Sequence, residues 1–308
     1  MKKSIIALLM LIVLLTTSLV HAEPSQTVSY LGQFRADVNA EYINMDKTRV
    51  TDMDAFIAFL RKLPNIKKVD MFATQIYTKD IDKLAAAFPD VEFGWTMRIG
   101  DHWVRTDATA FSTLHNNSSP AHTEKQFKYL KYCKNLLALD IGHNGVKDLS
   151  FLYDLPNLKV LILACNINLK DITPVGSLKD LEYLELFKND INDISCLANC
   201  TNLLDLNICF NRIKDWTPIH GLTKLERLWI YNSNNWSEQY PVDRNVVYAL
   251  KAALPNCHID STSYSTLGGW REHDRYYVIF HMFKYGEYIP FHRSQEIKQK
   301  YPNGIKLN

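Results

Sequence analysis

The apolar positions of residues 136–233 return in one arrangement five times. The first copy places Leu136, Leu139 and Ile141, and the same skeleton begins again at Leu158, Leu181, Leu203 and Leu225. Each copy reads L-x-x-L-x-L-x-x-N, with Ser233 where the others have Asn144, Asn166, Asn189 and Asn211, and successive copies lie 22, 23, 22 and 22 residues apart. Within a copy, pairs such as Leu139/Ile141 or Leu184/Leu186 alternate with residues of any character. That is the period of a strand with one face in a core and one face outside. The chain then turns at the Asn, whose amide suits the backbone groups that a turn leaves unpaired. An apolar residue and an Asp follow, as in Val146-Lys147-Asp148 and Ile191-Asn192-Asp193, and lead into a tight return.

A unit this short cannot bury its apolar face alone, whereas stacked neighbours can, so the array predicts a solenoid. Its period lies within the ~20–29 residues of leucine-rich repeats. The expected fold class is therefore α/β: a leucine-rich-repeat solenoid with a curved parallel β-sheet, helices or short turns on the convex side, and atypical caps at both ends. Ile66 to Ile76 fits the skeleton with Thr74 in the Asn column. Thr51 is placed to cap a helix carrying Met53, Phe56, Ile57, Leu60 and Leu63. A second helix follows over 78–88, then a strand Glu92 to Ile99, a hairpin turning at Gly100-Asp101, and a helix Glu124 to Cys133. Between Ile99 and Leu136 the repeat lapses. Beyond Ser233, Asp243 caps a helix with Val246, Val247, Leu250 and Leu254 inward, His258 to Asp260 supplies a last strand, and a helix from near Trp270 buries Tyr276, Ile279, Phe280 and Phe283. The chain is read as one elongated domain with a leader over 1–22, an aperiodic extended lead-in over 23–38, an amino-terminal cap over 39–135, the repeats over 136–233 and a carboxy-terminal cap over 234–308.

Lys2-Lys3, the apolar run Ile5 to Leu15 and the Val20-His21-Ala22 end have the layout of a secretory signal peptide, so export with a mature start at Glu23 is expected. No second apolar span follows, and no membrane insertion is expected after cleavage. The 35 basic and 33 acidic residues give a net charge of +2 without runs of like charge, which excludes an electrostatic nucleic-acid partner. Export of a chain with six cysteines raises the prospect of disulfides. Cys133 and Cys200, however, occupy a column filled elsewhere by Leu155, Leu178 and Leu222, and free thiols are expected.

The segments 140–144, 148–152, 181–187 and 225–230 resemble those of secreted bacterial leucine-rich-repeat proteins, and the 22-residue units resemble internalin repeats. Val69-Asp70-Met71, the stretch Trp103 to Ser112 and Gly268-Gly269-Trp270-Arg271-Glu272-His273 are similar to flanking segments of such proteins. The resemblance covers about residues 40–290; it implies the fold, while the amino-terminal cap differs from that of internalins.

Outward residues of a solenoid strand are free to serve function. Tyr183, Glu185, Phe187, Asp205, Phe210, Arg227, Trp229 and Tyr231 form the candidate ligand-binding surface, since exposed aromatics and Arg anchor protein interfaces. The expected function is non-enzymatic recognition of another protein through the concave strand face. The alternative is a carbohydrate or cell-wall polymer stacked on the aromatic rings, with Glu185 and Asp205 accepting from its hydroxyls. Coverage of this patch by a flanking cap is the competing structural reading. The ionisable run Trp270 to Arg275 reads as the solvated face of a capping helix, with a hydrolase site at Glu272 and His273 the weaker option. Trp95, Trp103, Arg98 and Arg105 on the hairpin read as cross-strand packing before a sugar or anion site. No nucleophile elbow, phosphate loop or zinc-ligand spacing is present, so no cofactor or metal is expected.

Overall fold

The computed structural model describes residues 26–113, 121–233, 238–263, 265–266 and 269–300. The expected leader lies outside them, as does nearly all of the polar loop from Leu114. The described residues divide into two compact units, one drawn from 26–74 with 79–93 and the other from 75–78 with 94–300.

In the first unit the expected extended lead-in is instead a hairpin, β1 (Thr27–Tyr30) and β2 (Phe34–Asp37), paired antiparallel. Leu31 and Gly32, both at positive φ, make its turn. What the aperiodic sequence concealed is a single anchor: the buried Tyr30 ring packs on Phe56 and Phe59. These belong to α1 (Met53–Leu60), which is capped by Asp52, its side chain accepting from the Ala55 N–H at 2.9 Å. The expected cap was Thr51, whose own N–H donates to the Tyr30 hydroxyl. β3 (Tyr42–Asn44) pairs parallel with β4 (Lys68–Ile76), and α2 (Thr78–Ala87) follows. The Thr74 hydroxyl accepts from the Val50 N–H at 2.9 Å, as the Asn166 and Asn211 amide oxygens do from Val146 and Ile191 in the repeats.

From residue 94 the chain belongs to the second unit, which holds most of the hairpin β5 (Glu92–Ile99) and β6 (His102–Arg105) around Gly100 and Asp101. β7 (Ala110–Ser112) comes next and pairs parallel with β8 (Ala138–Asp140), so the sheet begins one strand before the repeat pattern becomes readable. Phe111 stands in the core column where a repeat has Leu, which hides this strand. α3 covers only Glu124–Phe127 before the chain tightens into a 3-10 turn. β9 (Val160–Ile162), β10 (Tyr183–Glu185), β11 (Asp205–Asn207) and β12 (Arg227–Trp229) extend the sheet in register. β13 (Asn232–Ser233) and β14 (Gln239–Tyr240) form a small antiparallel ribbon. α4 (Arg244–Ala253), capped by Asp243 as expected, leads to β15 (His258–Asp260), the last of seven strands. α5 (Asp274–Tyr285) and α6 (Ser294–Lys300) end the described chain.

Each repeat is closed by the same local chemistry. The Asp after the apolar residue initiates the return: Asp148, Asp171, Asp193 and Asp215 accept from the N–H two residues on at 2.8, 2.8, 2.8 and 2.9 Å, and a 3-10 turn follows each. The residue before each Asn is left-handed: His143, Cys165, Lys188 and Phe210 lie at φ 57, 60, 61 and 59°. Such a conformation costs a non-glycine residue roughly 1–2 kcal/mol. The following amide offsets it, as when Asn166 donates to the carbonyls of Ile141 and Leu163 at 3.1 and 3.0 Å. The row stops at the fifth copy, where Ser233 replaces Asn and joins β13. All six cysteines are free thiols, and burial raises that of Cys133 to about 12.

Candidate functional site

Alternation along β8–β12 turns Leu139, Leu161, Leu184, Leu206 and Leu228 into the core and sends the residues on either side to the opposite face. Parallel register aligns Tyr183, Asp205 and Arg227 in one row and Glu185, Asn207 and Trp229 in the next. The rows are assembled as the sequence indicates. Their exposure is not: Tyr183, Glu185, Asp205, Phe210, Arg227 and Trp229 are buried, while Phe187 and Tyr231 remain half-buried.

The cover is the carboxy-terminal segment. Trp270, fully buried, lies with its ring centroid 5.6 Å from Tyr183 and 5.5 Å from Trp229, and its Nε1 donates to Glu185 Oε2 at 3.0 Å. Tyr183 Oη donates to the same Glu185 oxygen at 3.0 Å. Arg227 sits 4.3 Å from the Trp270 ring centroid and donates to the Trp270 carbonyl at 3.2 Å. On Asp205 two guanidinium groups converge: Arg227 Nε at 2.6 Å, and Arg275 through Nε and Nη2 at 2.6 and 2.8 Å. Arg275 also reaches Glu226 at 2.6 Å. Gly269 admits this approach at φ 91°, where a Cβ would meet the Trp229 ring at 3.1 Å. Neither Glu185 nor Asp205 is thus open to a sugar hydroxyl.

The run Trp270 to Arg275 is therefore not simply a solvated helix face. Trp270 and Arg275 clamp the sheet, and only Arg271 and Glu272 are exposed. His273 accepts from the Arg275 N–H at 3.2 Å as the cap of α5, and burial, with the charges of Arg227 and Arg275, lowers its pKa. Along α5 the buried residues are Val278, Ile279, His281, Met282 and Phe283. The expected Tyr276 and Phe280 are half-buried, because sheet and α6 enclose the helix on two sides. The signal for this docking was present in the columns themselves. Asp140, Glu185 and Asp205 are carboxylates on a face rich in aromatics, and such groups call for cations or donors from elsewhere in the chain.

Displacing the segment would return Trp270, Val278, Ile279, Met282, Phe283, Phe291 and Ile297 to water. At ~1.5–3 kcal/mol for each large apolar side chain the cost is roughly 10–20 kcal/mol. That matches or exceeds the whole stability of a typical domain, about 5–15 kcal/mol. The segment is a permanent part of the unit, and the centre of the strand face is core. What remains accessible is its rim, where the half-buried Phe187 and Tyr231 pack on either side of the buried Phe210, with centroids 5.2 and 6.1 Å apart.

Residues 134–177 match the leucine-rich-repeat family as two copies. Among solved structures, internalin C2 of Listeria monocytogenes aligns with 72% of this chain and 80% of its own length at 21% identity and TM-score 0.38. A leucine-rich-repeat protein of Leptospira interrogans aligns over 65% of this chain and 50% of its own at 19% identity and TM-score 0.38. Another internalin of Listeria monocytogenes gives 70% and 72%, 16% and 0.34. The chain spans half the length of the Leptospira protein. The repeats and the parallel sheet define the fold as a leucine-rich-repeat solenoid.

Proposed function

We propose that this chain is an exported, non-catalytic recognition protein that binds another protein at the rim of its strand face. The observation that carries the reading is the pair of half-buried rings Phe187 and Tyr231, which flank the buried ring of Phe210 on the repeat between them. Aromatic side chains of this kind anchor protein interfaces, because a ring buries large area with few rotatable bonds. Lys188 and the exposed His143 continue the row of strand ends and supply polar surroundings. Of the eight residues first singled out, Phe187 and Tyr231 are the accessible contacts; the other six hold these rings and their cover in place.

The test is capture from an extracellular protein extract by the immobilised chain, compared with the Phe187→Ala/Tyr231→Ala variant. A specific partner lost at least tenfold, with the thermal transition kept, supports the rim. Retention unchanged by the double substitution, or no retained protein, sinks the reading. Trp229→Ala is unsuitable as the probe, because removing a ring wedged beneath Trp270 costs about 3–5 kcal/mol of stability.

A further inference from the structure

Beside β7, at the first edge of the seven-stranded sheet, the second unit carries a groove of ≈ 830 Å³. One wall is β6 and the turn after it, residues 102–105, 107 and 108; the floor is 109–112; the opposite wall is the end of α5 and the chain beyond it, 283–288. Gly286 ends α5 in the left-handed region, and this lets the chain run back along β7. There the Ala110 N–H donates to the Gly286 carbonyl at 3.1 Å, and the Tyr288 N–H donates to Thr109 Oγ1 at 2.8 Å. The volume lies within the ~300–1,000 Å³ of ligand-binding clefts.

The chemistry of the walls selects the ligand. The lining carries two cations, Arg105 and Lys284, and two anions, Asp107 and Glu287, one of each sign on either wall. Arg105 is moreover forked onto Asp107 at 2.8 and 2.7 Å. Such a groove has no net field to hold a phosphate or a polyanion. An extended peptide that adds to a sheet needs an open edge, and the β7 edge already gives the Ala110 N–H to Gly286. Yet both walls carry large aromatic side chains in contact with water, Trp103 at 37% and Tyr285 at 56% exposure. Trp103 is also packed on its own side: Tyr77 meets it edge to face at 5.7 Å, and the Arg98 guanidinium lies 5.9 Å from its ring centroid. A packed ring loses little freedom when something stacks on it. Exposed rings, a planar ion pair and hydroxyls in a charge-balanced cleft suit a molecule with apolar C–H faces and a polar rim.

We propose that this groove binds a neutral oligosaccharide, with Trp103 and Tyr285 as stacking platforms and the Arg105–Asp107 pair as the partner of its hydroxyls. The site is separate from the aromatic rim and does not rest on the protein-binding reading. It is tested by calorimetric titration of the full chain with chitotetraose, cellotetraose and maltotetraose. At least one of them saturates with a Kd of about 1 mM or tighter, and the affinity is insensitive to added salt. Trp103→Ala and Tyr285→Ala each weaken it about tenfold, while the thermal transition of Tyr285→Ala, the more exposed of the two, stays within about 2 °C of the parent. No saturation by any of the three sugars up to about 10 mM overturns the proposal, as does binding undiminished in both variants. Binding of a heparin tetrasaccharide alone, lost in salt, would also overturn it, since ligand charge would then be in control.

Discussion

Asp140 lies on the strand face, buried, with Oδ1 accepting from the Gly142 N–H at 3.0 Å and Oδ2 meeting the Ser112 hydroxyl at 3.3 Å. Burial raises its pKa to about 7; nearby Glu185 adds to the rise, while the bonds from Gly142 and Ser112 and the charge of Arg271 oppose it. The sign follows from linkage. A carboxyl whose folded pKa stands above its unfolded value favours folding fully below the unfolded value, and this stability is lost as pH rises through the folded one. Asp140 therefore weighs on the fold above about pH 7 and not near pH 4. Asp140→Asn, which keeps the shape, is expected to raise the melting temperature by several degrees at pH 8 and hardly at all at pH 4. Calorimetric melts at the two pH values check this, and an equal shift at both would disprove the assignment. That an aspartate stood on the outer face was legible from alternation. Its burial was not, because the groups that enclose it arrive from the far end of the chain.

The repeat as an element is held by contacts that recur along the stack. Asn amides tie consecutive turns, and the 3-10 returns pack against each other, Thr173–Ser177 against Ser195–Asn199. At Gly176 in the first of these returns, a Cβ would meet the Cys196 carbonyl oxygen at 2.9 Å and its Cβ at 3.0 Å. Gly176→Ala is expected to cost about 1–3 kcal/mol, because neighbouring repeats must move apart. Gly221→Ala, where nothing lies within 4 Å, is expected to be close to neutral. Urea denaturation of the two variants distinguishes them; similar losses would show that backbone freedom, not spacing, governs both. The strands β8–β12 and the turn residues Asp148, Asp193 and Asp215 could be read directly, since spacing and residue type carry them. β1, β2 and β7 could not. Their pairing depends on single anchors, Tyr30 and Phe111, that no period announces.

Contacts across long sequence separation decide the second unit as a whole: Tyr288 bonds to Thr109, Arg275 to Asp205, and Trp270 to Glu185. A chain ended at Thr266 would leave the face of β8–β12 bare and the carboxylates of Glu185 and Asp205 without their partners. Loss of roughly 10–20 kcal/mol of burial is expected to abolish cooperative unfolding. Scanning calorimetry is the measurement, and a truncated chain melting within a few degrees of the parent would show that the cover is dispensable. By itself the sequence determined the solenoid, its strand register, the inward and outward columns and the role of each Asn, because each of these depends on neighbours at fixed spacing. Only the tertiary structure decided which outward columns meet water. Exposure depends on what packs over a surface, and that segment carries its matching Trp and Arg 43 to 85 positions further along the chain.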